Sequence, residues 1–138
     1  MAYNKFKELT GNFNFNKRIP VDQLPDSIKR YVEDDEKVWL CYKVYNDEII
    51  FTNKKIVILD TKGILKAIKK VHALPYCHIS SAAIDFGFSS IAIHLSMDSG
   101  YQLKLNFVSL TEEAKDEMND IYINMMKKIS NGWVKWIG

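Results

Sequence analysis

Between positions 37 and 107 apolar and polar residues trade places with a period of two. Val38, Leu40, Tyr42 and Val44 alternate with Trp39, Cys41, Lys43 and Tyr45, the rhythm of a strand whose side chains point to opposite faces. Turn chemistry at Asn46-Asp47, Thr52-Asn53-Lys54 and Thr61-Lys62-Gly63 sets off further strands at 49–51, 55–59 and 65–73. Pro75 closes the last of these, because proline cannot donate to a central ladder. A strand at 79–86 precedes the turn Gly87-Phe88-Ser89. Two clean alternations follow: Ile91, Ile93, Leu95 and Met97, then Tyr101, Leu103, Leu105 and Phe107, joined by Asp98-Ser99-Gly100. One apolar and one polar face per strand is what a half-buried antiparallel sheet requires.

Beyond position 108 the period changes. Ser109 and Glu112 have capping-box spacing. Ala114, Met118, Ile121, Tyr122, Met125 and Ile129 recur at steps of three and four, predicting a long amphipathic helix that stops at Asn131-Gly132. Upstream, Asp22, Leu24, Ile28 and Tyr31 predict a short helix with Pro25 in its first turn, ending before the acidic run Glu33-Asp34-Asp35-Glu36. The first eighteen residues, where Asn12, Asn14 and Asn16 alternate with Phe13 and Phe15, have no helical period and read as an arm with a short extended piece. The expected organisation is an arm at 1–20, a domain at 21–130 and a tail at 131–138. The fold class is mainly β with a C-terminal α-helix. Seven short strands avoid two open edges best by curling into a nearly closed barrel plugged by the helix.

The composition fits one globular domain: 138 residues, 47% apolar and 26% charged, with a formal charge of +2. That charge is too small to announce a nucleic-acid partner, and no apolar run approaches the ~20 residues of a membrane span. The N-terminus lacks a secretory pattern. Two cysteines, Cys41 and Cys77, form neither a disulfide framework nor a zinc spacing, so a cytoplasmic protein with reduced thiols is expected. The charge is blocky. Residues 22–36 carry six acids against Lys29 and Arg30, a net of −4, whereas residues 54–70 carry six lysines against Asp60, a net of +5. Such blocks can steer a charged partner or pair one copy with another.

The stretch from Asp47 through Phe51-Thr52-Asn53-Lys54-Lys55 and the apolar run Ile56-Val57-Ile58-Leu59 to Asp60-Thr61-Lys62-Gly63 resembles the bacterial pleckstrin-homology domain family. So does Leu74-Pro75-Tyr76 with Ile79 following. The resemblance extends over 34–129. It implies a pleckstrin-homology barrel of two nearly orthogonal sheets, of four and three strands, with a C-terminal helix across one end. It also implies cyclic homo-oligomers of unassigned function, without catalytic residues.

Eukaryotic relatives that bind inositol phosphates use basic residues in the loop after the first strand. Here that loop is Tyr45-Asn46-Asp47-Glu48, and with Asp60, Lys62 and Asp98 the expected open end is net acidic. Close-range charge argues against a phosphoinositide there. An anion site would have to use Lys66, Lys70 and His72, which share parity on one strand, together with Lys54 and Lys55 at the opposite hairpin end. The histidines His72, His78 and His94 fall on separate stretches with no ligand spacing around them, so neither a metal nor a cofactor is expected. No nucleophile pair or glycine-rich phosphate loop is present, and the chain reads as non-enzymatic. Trp133 and Trp136, with the off-stripe Met126, are the expected oligomer or partner contacts.

Two functions follow. The first is an interaction and assembly module that binds itself or another protein. The second is a binder of a small anionic ligand, such as a nucleotide-type signal or a phospholipid headgroup. The Asn-, Ile- and Lys-rich composition fits an AT-rich genome, and for the second reading a phage-encoded ligand sequesterer. A peripheral membrane role ranks below both.

Overall fold

The computed structural model describes residues 10–61 and 70–137. Its strands are β1 (Thr10–Phe15), β2 (Lys17–Ile19), β3 (Val38–Val44), β4 (Asp47–Thr52), β5 (Lys55–Asp60), β6 (Lys70–Pro75), β7 (Ile79–Phe86), β8 (Ile91–Met97) and β9 (Gln102–Phe107). The helices are α1 (Asp26–Lys29) and α2 (Glu112–Ile137). Six of the seven expected strands are present; of the one expected at 65–73, positions 65–69 lie outside the described residues and the rest is β6, which runs on to Pro75, and the expected arm supplies two more strands. Each sheet gains one of them. The five-stranded sheet runs β2-β3-β4-β5-β6 and the four-stranded sheet β1-β9-β8-β7, instead of four and three strands. The chain divides into two compact units, Phe15–Tyr76 and the described residues of Met1–Asn14 with Cys77–Gly138.

In the first unit β2 to β6 pair antiparallel in sequence order, with Cys41 opposite Ile50 and Ile50 opposite Val57. Ile49, Ile50 and Phe51 are all buried, as are Ile56, Val57, Ile58 and Leu59. Both faces of these strands are covered, which is why they read as unbroken apolar runs. One face is covered by the segment after β2: Ile28 is fully buried in a cluster with Ile19, Cys41, Ile50, Val57 and Leu59, and Leu24, Tyr31 and Val32 pack at its margin. The single expected helix is split here. Val21–Gln23 is a 3₁₀ turn, and Leu24 adopts an extended conformation before Pro25, which stands at the N-cap of α1 and not in its first turn. A proline disfavours helical geometry in the residue before it, so the helix can start only beyond Pro25.

In the second unit the alternation of β8 and β9 is realised directly. Ile91, Ile93, Leu95, Met97, Leu103, Leu105 and Phe107 are buried, while Gln102 and Lys104 face outward. β1 is fixed beside β9 by the Asn106 amide, which donates to Asn12 Oδ1 at 2.8 Å and to the Phe13 carbonyl at 3.1 Å. Gly11 lets the Tyr101 hydroxyl approach closely, and a Cβ there would push that hydroxyl aside.

The capping expectation for α2 is corrected. Thr111, not Ser109, caps the helix: its Oγ1 accepts the Ala114 N–H at 3.1 Å. Ser109 sits outside the helix at φ 59. Met118, Ile121, Met125 and Ile129 form the buried stripe as expected. The expected stop is also corrected, because the helix passes through Asn131-Gly132 to Ile137. An interior glycine costs only about 1 kcal/mol relative to alanine, too little to end a helix whose backbone can stay right-handed.

Candidate functional site

The cations expected to hold an anion do not converge. Lys55 lies opposite Pro75 and Lys70 opposite Asp60, at opposite ends of the β5–β6 ladder and so about 17 Å apart at ~3.4 Å per residue. Lys66 lies outside the described residues. Lys70 is exposed, and His72, half-buried, has Nε2 3.9 Å from Asp60 Oδ2. Lys54 and Lys55 already hold carboxylates. Lys54 Nζ is 2.8 Å from Glu33 and 3.0 Å from Asp35, and Lys55 Nζ is 3.0 Å from Glu36. The contact with Lys54 holds the Asp35 carboxyl below its usual value.

These pairs belong to a clip built from the residues that carry the family resemblance. Glu36 has no side-chain exposure. It accepts hydrogen bonds from the Thr52 hydroxyl, from Lys55 and from the Glu33 amide. Burial alone would raise its pKa, but the Glu33 amide, Thr52 and Lys55 together hold it below the ordinary value. Thr52 Oγ1 also accepts the Lys54 and Lys55 N–H groups, each at 3.0 Å. Asn53 exchanges two bonds with Lys37. Across the ladder, the Tyr76 hydroxyl donates to the Thr52 carbonyl at 2.7 Å, and the Tyr76 ring stacks on Trp39 with centroids 6.0 Å apart. Burial, and then the Glu36 charge, push the Tyr76 phenol well above its ordinary pKa. The Thr-Asn-Lys turn and the Pro-Tyr pair therefore fasten the acidic segment to the β4–β5 hairpin.

Two of the acids expected to face an open rim, Asp47 and Glu48, are turned to internal partners. Asp47 Oδ1 accepts the Thr61 N–H at 2.8 Å and its hydroxyl at 2.5 Å. Glu48 is buried and accepts from Ser27 of α1 at 2.8 Å. Burial pushes its carboxyl up, against the pull of Ser27 and Lys43. His94 pairs with Asp85 at 2.7 Å, and His78 lies 3.7 Å from Asp98. Among the described residues no three His, Cys, Asp or Glu side chains come together as metal ligands, and no helix is long and apolar enough to cross a membrane.

The second unit carries an exposed aromatic corner that the sequence reading took only for a turn. Phe88 is 98% exposed and Phe86 57%, with Val108 partly exposed. The loop that carries Phe88 is tied down at several points. Gly87 N–H donates to the Ser90 carbonyl at 2.8 Å, and Leu110 N–H donates to the Ser89 carbonyl at 2.8 Å. Lys115 Nζ reaches the Gly87 and Phe88 carbonyls at 3.0 and 3.4 Å.

A sequence profile described as Bacterial PH domain matches residues 6–129. The chain belongs to the bacterial pleckstrin-homology domain family. Among solved structures, it is similar to a protein with a pleckstrin-homology domain from Shewanella loihica, with 19% identity, a TM-score of 0.64, and 82% of this chain and 96% of that one covered. It is also similar to a pleckstrin-homology domain-containing protein from Exiguobacterium sibiricum, with 21% identity, a TM-score of 0.64, and 85% and 63% covered. A pleckstrin-homology domain from Shewanella amazonensis aligns with 22% identity, a TM-score of 0.50, and 76% and 87% covered. At these identities the likeness is one of fold. No curated protein matches the chain.

In this pleckstrin-homology domain the expected contact residues fall along α2. Met126 is half-buried and lines a groove with Tyr122, Ile123, Lys127 and Ser130. Positions 133 and 136 fall within α2 rather than after its end. Their side chains lie outside the described residues.

Proposed function

We propose that this pleckstrin-homology domain is a non-enzymatic, cytoplasmic interaction module that assembles with copies of itself. The observation that carries the reading is the aromatic corner: Phe88 is almost wholly exposed on a loop whose backbone is fixed at both its flanks. A phenylalanine in that position contributes nothing to its own core. Aromatic side chains on rigid supports are the usual anchors of protein interfaces, because little conformational freedom remains to be lost on binding. The alternative, a small anionic ligand, has weaker support, since Lys54 and Lys55 already carry carboxylate partners. Light scattering coupled to size exclusion tests the proposal. The expected mass is a multiple of the chain's, and a strict monomer throughout the micromolar range refutes it.

A further inference from the structure

β7 is the longest strand of the four-stranded sheet and stands at its edge. Among the described residues its only ladder neighbour is β8, and no backbone bond outside that ladder reaches residues 81–86. In an antiparallel edge strand every second residue turns both its N–H and its C=O away from the neighbour. Only another extended chain offers groups at the matching spacing, which is why such edges capture strands. The start of β7 is irregular: the register shifts between Ile79 and Ser81, and the Ser80 hydroxyl donates to the Ser96 carbonyl at 2.8 Å. Residues 81–86 form the regular edge.

The two faces of that edge differ. Ala82, Ile84 and Phe86 lie opposite Leu95, Ile93 and Ile91 and share the core face with them. The three β8 residues are at most 1% exposed, whereas Ala82 and Ile84 are only half-buried and Phe86 is 57% exposed. α2 packs against β7 and still leaves this apolar row partly open. On the outer face Ser81, Ala83 and Asp85 are all exposed, two small side chains and one carboxylate. Asp85 keeps that exposure even with His94 Nε2 at 2.7 Å.

We infer that residues 81–86 take up an extended segment of another protein as a further strand, one with apolar residues at alternate positions and lysine or arginine between them. Its backbone completes the ladder on the open side of β7. Its apolar side chains cover Ala82, Ile84 and Phe86, and a cation falls beside Asp85 on the outer face. The inference goes beyond the self-assembly proposed above, which Phe88 carries, and does not depend on it.

Fluorescence anisotropy on the full chain tests this with a labelled eight-residue peptide that alternates valine and lysine. Saturable binding of one peptide per chain is expected, with new hydrogen-exchange protection at residues 81–86. Methylating every second amide nitrogen of the peptide blocks one of its two edges. One of the two methylated series binds roughly 10-fold or more weaker, from lost ladder bonds, and the other binds like the parent. Glutamate in place of lysine weakens binding to the wild type, although the chain's net charge of +2 favours the acidic peptide. Asp85→Lys, an exposed substitution whose fold thermal melting checks, reverses that preference. The inference is overturned if the valine–lysine peptide does not bind, if neither methylated series is weakened, if Asp85→Lys keeps the wild-type preference, or if the protection falls elsewhere. A peptide that binds but breaks the assembly into monomers gives this edge to a second copy and overturns it as well. A monomeric wild type refutes only the self-assembly reading, because peptide binding is scored per chain.

Discussion

Replacing Thr52 with valine keeps the shape of a fully buried side chain and removes one hydroxyl. That oxygen donates to Glu36 and accepts the Lys54 and Lys55 amides. A hydrogen bond to a charged group is worth about 1.5–3 kcal/mol. The Glu36 carboxylate has no solvent to replace it, whereas the two amides lie in a partly exposed hairpin and lose less. The expected loss is ~3 kcal/mol, a large share of the 5–15 kcal/mol that holds a domain together, and about 10 °C in melting temperature. Thr52→Ser keeps the oxygen and deletes one methyl group, for about 1 kcal/mol. Urea unfolding with matched slopes is the assay. The pH series adds a second reading. Glu36 has its folded pKa below the ordinary 4.5, so its stabilisation is present above that value and drains as the pH falls through the folded pKa. Thr52→Val removes one cause of the depression, leaving the variant less to lose, and its gap from wild type narrows in acid. If serine proves as damaging as valine, or the gap is constant with pH, the clip is not held by this hydroxyl.

The opposite sign is expected at Glu48. Burial raises its folded pKa, so its favourable contribution is full below the unfolded value and is lost as the pH rises through the folded one. Glu48→Gln keeps an acceptor for Ser27, flattens that dependence and leaves melting at neutral pH equal or higher; a marked fall in melting temperature would show that the ionised carboxylate is needed. For the thiols, Cys77 is exposed and Cys41 buried, and burial together with Glu48 pushes Cys41 up to about 12. A disulfide reagent at neutral pH titrates one thiol quickly and the second only after unfolding; two fast thiols contradict the packing around Cys41.

The parts of the fold legible in the sequence are those where one face meets water. In β8 and β9 every second residue is polar, so period and burial coincide. In β4 and β5 both faces are covered, and the strands were recognisable from their length and the turns between them. The residues of β1 also alternate, with Phe15 fully buried, yet the pattern fixes no partner until β9 is known to lie alongside. Local signals competed at α2, where Ser109 has capping-box spacing but a left-handed backbone and Thr111 makes the bond. Phe88 was visible only as a turn residue, because a turn signal does not say whether its side chain faces the protein or the solvent. The β4–β5 hairpin that carries Lys54 and Lys55 is legible, but their carboxylate partners come from a segment about twenty positions away, which no local pattern connects.

The pairing of Asn12 with Asn106 spans 94 positions. At ~5–20 residues per second of synthesis, positions 10–15 leave the ribosome about 5–20 s before their sheet neighbour exists. For that interval a segment with two phenylalanines has no ladder to join. Native closure of the four-stranded sheet is thus a late event during translation, waiting on the strand that emerges last.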